Sequence, residues 1–156
     1  MLQKSLTTTV SFDTGIVEHY QENVVSFLTW FENELFVGSW VEGATGVLNR
    51  YDLTNPGEPQ LVASMTIPER IKGATFWRNT VTGSTNMYLS QGSRNEDSAL
   101  LCFEYSTDNS DYAQPLTSYV LPEGAEQIQA TAKGLYLLFG SVKGTNNQVY
   151  LVRMPE

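Results

Sequence analysis

Short apolar runs in this chain recur at a step of 54 residues, from 38 to 92, and a repeat of that size limits the fold more than any single motif. Gly38 recurs as Gly92, each after an apolar run at residues 35–37 and 87–91. Tyr51 recurs as Tyr105, inside GVLNRYDLTN and ALLCFEYSTD, and Ile67-Pro68-Glu69 recurs as Leu121-Pro122-Glu123. A third copy opens with AEQIQATAKGLYLLFGS, which sets Gly140 in the place of Gly38 and Gly92. Upstream the step is 46, from Thr29-Trp30-Phe31 to Thr75-Phe76-Trp77, and the longer stretch RNTVTGSTN absorbs the difference. Loops accept such insertions because closure entropy grows only logarithmically with length.

Within each unit, runs rich in Val, Ile, Phe, Tyr, Trp and Thr alternate with breaks of Gly, Asn, Pro and Asp, which is strand-and-turn grammar. The first unit predicts strands over 25–31, 35–40, 47–53 and 61–67. The second predicts them over 71–77, 87–91, 100–105 and 116–121. The third predicts 128–132, 135–139 and 149–154, with no fourth. One further strand, 6–12 (LTTTVSF), stands ahead of the first unit with no unit of its own. Val17, Tyr20, Val24, Leu28, Phe31 and Leu35 also fit a helical period, which alone would favour a helix over 17–34. The repeat outweighs it for 24–31, since that segment occupies the slot of 71–77 with its Gly73. A short helical turn is expected over 17–22.

Four strands of about six residues per unit match the blade of a β-propeller. The expected fold is therefore all-β and propeller-like, one domain over 1–156 with blades at about 24–68, 69–122 and 123–156 plus the strand 6–12. A ring needs roughly 4–8 blades, so three leave two open flanks and an unpaired edge. Either the chain belongs to a longer protein, or two copies close a six-bladed ring. In the second case the 6–12 strand of one copy completes the last blade of the other, a head-to-tail contact that closes as a dimer. A monomeric β-sandwich or barrel of ten or eleven strands is the plainer alternative.

Composition narrows the partners. The 156 residues carry 9 Lys+Arg against 17 Asp+Glu, a net charge of −8, without the basic footprint that nucleic acid would require. One cysteine excludes an internal disulfide and a zinc site built from cysteines. No apolar run reaches the ~18–20 residues of a membrane helix, and MLQKSLTTTV lacks the apolar core of a signal peptide.

Residues 67–152 carry a further pattern: Pro68, Gly73 and Phe76, then Ser90, Gly92, Arg94, Asp97, Ser98 and Leu100. Leu121-Pro122, Glu126, Ile128, Leu135-Tyr136, Leu138-Phe139 and Ser141 continue it. This resembles the C-terminal half of secreted bacterial six-bladed β-propeller-like proteins, in which the corresponding run reads P-x-x-x-Q-G-x-x-F, S-x-S-x-G-R-x-x-D-S-x-L, L-P-x-x-x-E-x-I and L-Y-x-L-F-E-S. Lys72, Gln127 and Gly140 depart from it, standing where that pattern has Gln, Gly and Glu. The resemblance implies a propeller-like fold and an extracellular or cell-surface setting, and it implies no activity.

On a propeller, residues entering the first strand of each blade line the channel mouth. Lys72 and Glu126 are equivalent at the 54-residue step, with Ser26 in the first unit, and they form either a ligand-facing ring or a set of mutual salt bridges. The second reading is the stronger one. Trp40 opens the loop after a second strand, where it packs on a neighbouring blade or stacks on a sugar or peptide. Trp30 and Trp77 occupy equivalent positions and are expected between blades. Arg94 lies in the densest polar loop, and Asn95, Glu96 and Asp97 beside it are the weak candidates for calcium. They are adjacent and lack D-x-D-x-D-G spacing, so a solvated turn is the expectation and no cofactor is assigned. His19 and Cys102 offer no triad, no G-x-S-x-G elbow is present, and no phosphate loop appears. Cys102, inside ALLCFEY, is expected to be a small core residue. No catalytic residue is assigned. The leading expectation is a non-catalytic module binding a glycan or protein at Trp40, Lys72, Arg94 and Glu126. A structural domain closing a ring by strand exchange and a metal-assisted hydrolase are the alternatives.

Overall fold

Runs of β-branched and aromatic residues separated by Gly, Pro, Asn and Asp become antiparallel strands joined by short turns in the computed structural model of the chain. It describes residues 24–55, 57–92, 96–140 and 147–153 in full, and 7–12 and 15–20 as backbone. Three meanders follow one another. Sheet 1 contains β3 (Val25–Phe31), β4 (Glu34–Ser39), β5 (Gly46–Asp52) and β6 (Gln60–Ile67). Sheet 2 contains β7 (Ile71–Arg78), β8 (Thr85–Gln91), β9 (Ser98–Glu104) and β10 (Thr117–Leu121). Sheet 3 has three strands, β11 (Ala125–Thr131), β12 (Gly134–Phe139) and β13 (Gln148–Val152). Each meander is ordered by sequence. Among the described residues no helix is long and apolar enough to cross a membrane.

Sheet 2 is the middle layer. Its first strand, β7, packs against β3 on one side and β11 on the other. Alternation along β8 divides its side chains accordingly: Met87 and Leu89 join Phe36, Leu48 and Phe76 in the core shared with sheet 1. Tyr88 faces the other way and joins Leu100, Ile128, Leu135 and Leu137 in the core shared with sheet 3. Burial on both faces explains why ALLCFE on β9 reads as a continuous apolar run rather than an alternating one.

Ahead of these sheets, β1 (Thr7–Phe12) and β2 (Gly15–Tyr20) form an antiparallel hairpin, Thr7 opposite Tyr20. The N-terminal strand therefore has a partner in its own chain. The expected helical turn at 17–22 is corrected for 17–20, which are strand; Gln21 and Glu22 lie outside the described residues. Ile16 and Val17 are stiff β-branched residues, and the ladder to β1 overrides the helical spacing.

The register also revises the repeat. The amide N–H of Trp40 donates to Val24 O, that of Gly92 to Arg70 O, and that of Gly140 to Gly124 O, at 3.2, 3.0 and 2.7 Å. These are equivalent bonds, so Trp40, not Gly38, matches Gly92 and Gly140. The step is 46 between β3 and β7, 52 between β4 and β8 (40 to 92), and 54 only by the Pro68 and Pro122 turns. Gly38 instead pairs with Phe27, as Ser90 pairs with Gly73. Trp30 is a second correction: it is 54% exposed on the outer face of sheet 1, whereas Trp77 packs against the core between sheets 2 and 3.

Candidate functional site

All three first strands are irregular at the same place. The pairing skips between Val25 and Phe27 in β3, between Ile71 and Gly73 in β7, and between Ala125 and Ile128 in β11. The skipped residues are Ser26, Lys72, and Glu126 with Gln127. A β-bulge leaves its extra residue out of the ladder and re-aims the side chain. Here it marks the three positions expected at the entrance as equivalent, and it brings two of them, Lys72 and Glu126, together. Lys72 Nζ lies 3.4 Å from Glu126 Oε2, so the cation and anion neutralise each other across neighbouring sheets. Half-exposed as it is, the pair contributes only about 0–1 kcal/mol. Ser90 ties β8 to β11 at this point, its hydroxyl donating to Glu126 O at 2.6 Å.

A second group surrounds the turn before β7. Arg70 holds φ at 58°, the left-handed region that its counterpart Gly124 also occupies at 85°. For a residue with a Cβ this conformation costs about 1–2 kcal/mol. What the arginine gains is position. Its guanidinium meets Glu69 at 3.5 Å and also Glu96, while its backbone N–H donates to Val41 O and its carbonyl accepts from Gly92. Glu69 Oε2 in turn accepts from the amide of Gly43 at 2.6 Å. Three loops are thus laced together by Arg70, which the repeat did not single out, and Glu69, which it marked only as part of a turn. The usable signal was a bulky charged residue standing where the next unit has glycine.

The remaining expected residues distribute as follows. Trp40 follows β4 half-buried, its indole N–H shielded from solvent with no acceptor among the described residues. That geometry favours packing over stacking on a ligand. Arg94 and Asn95 lie outside the described residues. Of the other calcium candidates, Glu96 is engaged by Arg70 and Asp97 is exposed. Among the described residues no three His, Cys, Asp or Glu side chains gather as a metal site would need. His19 stands opposite Thr8 on the β1–β2 hairpin. Cys102 is half-buried against the core between sheets 2 and 3, and burial raises its thiol pKa, which disfavours the nucleophilic thiolate.

Between sheets 2 and 3 lies a cleft of about 430 Å³, lined by Trp77, Tyr88, Cys102, Tyr119, Leu135 and Val152 among others. Burial, with Cys102 adding to it, pushes the Tyr88 hydroxyl up to about 12. No sequence signal marked this cleft, because its walls read as ordinary core positions. The chain matches no family model, and comparisons with curated proteins and with solved structures also find no match.

Proposed function

We propose that the chain is a non-catalytic, propeller-like interaction module completed by a second copy of itself. The observation that carries this reading is β13. All five of its residues are exposed, and Val149, Tyr150, Leu151 and Val152 among them are large and apolar. An apolar edge strand whose outer ladder meets no strand among the described residues is a ready template for another chain. The outer face of sheet 1 supports the reading from the other end, since it exposes Leu28 and Trp30. Sheet 3 with its three strands and sheet 1, whose outer face exposes Leu28 and Trp30 but buries Val37 and Tyr51, are the two ends of the series. Joining one to the other head to tail buries both, and two copies close a ring by symmetry.

The charged groups fit a scaffold better than a reaction centre. Lys72 is paired with Glu126, and Arg70 with Glu69 and Glu96, so the cations and anions of the rim satisfy one another. A second reading, recognition of a glycan or protein at the rim, is favoured by the bulges that recur at Ser26, Lys72 and Glu126. Loss of a ligand-induced shift in Trp40→Ala would support it. The assembly reading is tested with Leu151→Lys, which places a charge on β13 without touching the core between the sheets. The native chain should run as a dimer, and the variant as a monomer with an unchanged circular dichroism spectrum. A variant with native mass would count against the reading.

A further inference from the structure

The interface between sheets 1 and 2 shows what packing alone asks of these walls. There Phe31, Phe36 and Met65 face Met87 and Phe103. The loop after β9 is tied to β6 by Thr66 N–H donating to Ser110 O at 2.9 Å and Tyr112 N–H to Thr66 O at 2.8 Å. That tie sets the Tyr112 ring in the gap, where it is 2% exposed and meets Phe103 edge-on. By the register, the cleft between sheets 2 and 3 has Trp77, Tyr88 and Tyr119 in the positions of Phe31, Phe36 and Met65. Its opposite wall has Leu135 and Val152 in the positions of Met87 and Phe103. Three wall positions therefore present an aromatic ring and add a polar tip, an indole N–H or a phenol hydroxyl, where the equivalent residues have none. Tyr119 is also 54% exposed where Met65 is 3%. An apolar interface needs no such tips, and a ligand site does.

The other polar groups of the cleft lean toward donation. Asn79 Oδ1 accepts the amides of Val81 at 2.8 Å and Thr82 at 3.0 Å, so its NH2 is the side left to meet a ligand. The Tyr88 hydroxyl is bonded to Asn86 and Cys102, which fixes its ring in the wall. Arg153 adds a guanidinium and is the one charged side chain among the described lining residues. These groups surround apolar surface from Leu100, Leu135 and Val152, and the volume of about 430 Å³ is that of a small-molecule site. We propose that this cleft binds an aromatic carboxylate, its ring between the two walls and its carboxylate toward Arg153. Aromatic walls favour a flat ring. A guanidinium beside neutral donors favours an anion that only accepts. A sugar, whose hydroxyls need acceptors as well as donors, matches this set less well. The site lies within one chain and stands whether or not two copies associate.

Cys102 is the only cysteine in the chain and lines the cleft, which makes it a built-in reporter. The experiment follows its labelling by a small maleimide at mildly alkaline pH, with 1-naphthoate, its neutral analogue 1-naphthamide, or glucuronate added. Naphthoate should slow labelling saturably, by about tenfold at ten times its Kd, because only the unoccupied fraction reacts. Naphthamide and glucuronate should each need at least about tenfold higher concentration for the same protection, since each lacks one half of the match. Arg153→Gln, at an exposed position, should weaken naphthoate by about tenfold and leave naphthamide unchanged. Labelling that naphthoate does not slow overturns the proposal. Glucuronate protecting as well as naphthoate would make the site one for sugars, and equal protection by naphthamide would remove the carboxylate from the account. Native affinity for naphthoate in Arg153→Gln would overturn the placement of the anion. A thiol that stays unlabelled in the free chain would mean that the chain closes the cleft itself, and would overturn the site.

Discussion

Phe27 and Gly38 face each other across β3 and β4, and the pair shows how closely these sheets are fitted. A Cβ built on Gly38 would lie 1.9 Å from the Phe27 ring, which is itself buried between sheets 1 and 2. Gly38→Ala should therefore cost about 1–3 kcal/mol through overpacking, read as a lower urea midpoint. Pairing it with Phe27→Leu should recover part of the loss, whereas an unchanged midpoint in the single variant would refute the packing argument. Tyr88 gives a prediction in pH. Its folded pKa of about 12 lies above the ordinary 10.0, so the folded state holds the proton more tightly. The stability it contributes is fully present below pH 10 and is lost as pH rises toward 12. Tyr88→Phe should flatten the alkaline fall in that window, leaving a residual slope from Tyr51, Tyr105 and Tyr112, whose pKa values burial also raises. An identical pH profile in the variant would contradict the assignment. At this scale the sequence exposed some roles and hid others. Lys72 and Glu126 were legible as a pair because they share a repeat position. Gly38 was misread as the partner of Gly92 because composition alone cannot separate a 54-residue step from the 52-residue step that the hydrogen bonds reveal.

The strands of the three sheets were legible to within a few residues at their ends, since period, β-branching and turn residues all agree there. Strand β2 was not. GIVEHY lies among apolar residues at helical spacing, and its ladder to β1 becomes apparent only in the backbone pairing. Trp30 shows the same limit from another direction. By the 46-residue step it stands where sheet 2 has Phe76, but sheets 2 and 3 both lie beyond the other face of sheet 1, and a repeat cannot show which copy stands last. Bonds between neighbouring sheets were equally invisible. The Thr75 hydroxyl accepts the Ala130 amide at 2.9 Å from β7 to β11, in a setting where Thr75 is buried. Thr75→Val keeps the shape and orphans that amide, a loss of about 1–3 kcal/mol. Chemical denaturation should show it as a lower midpoint with the same slope, and an unshifted midpoint would mean the bond adds nothing.

For the whole molecule, the repeat led to a count of blades and the count to a question of closure. Three antiparallel sheets of four, four and three strands lie in series, with the middle one covered on both faces. The end sheets keep apolar surface in solvent, at Leu28 and Trp30 on one side and at Leu138 and β13 on the other. The net charge of −8 disfavours close approach of two copies at long range. Closure would therefore have to come from these apolar ends, and association should strengthen as salt screens the repulsion. Light scattering on the native chain at moderate salt tests this most directly. A single species of twice 17.4 kDa is expected. A monodisperse species of 17.4 kDa at every concentration would contradict it.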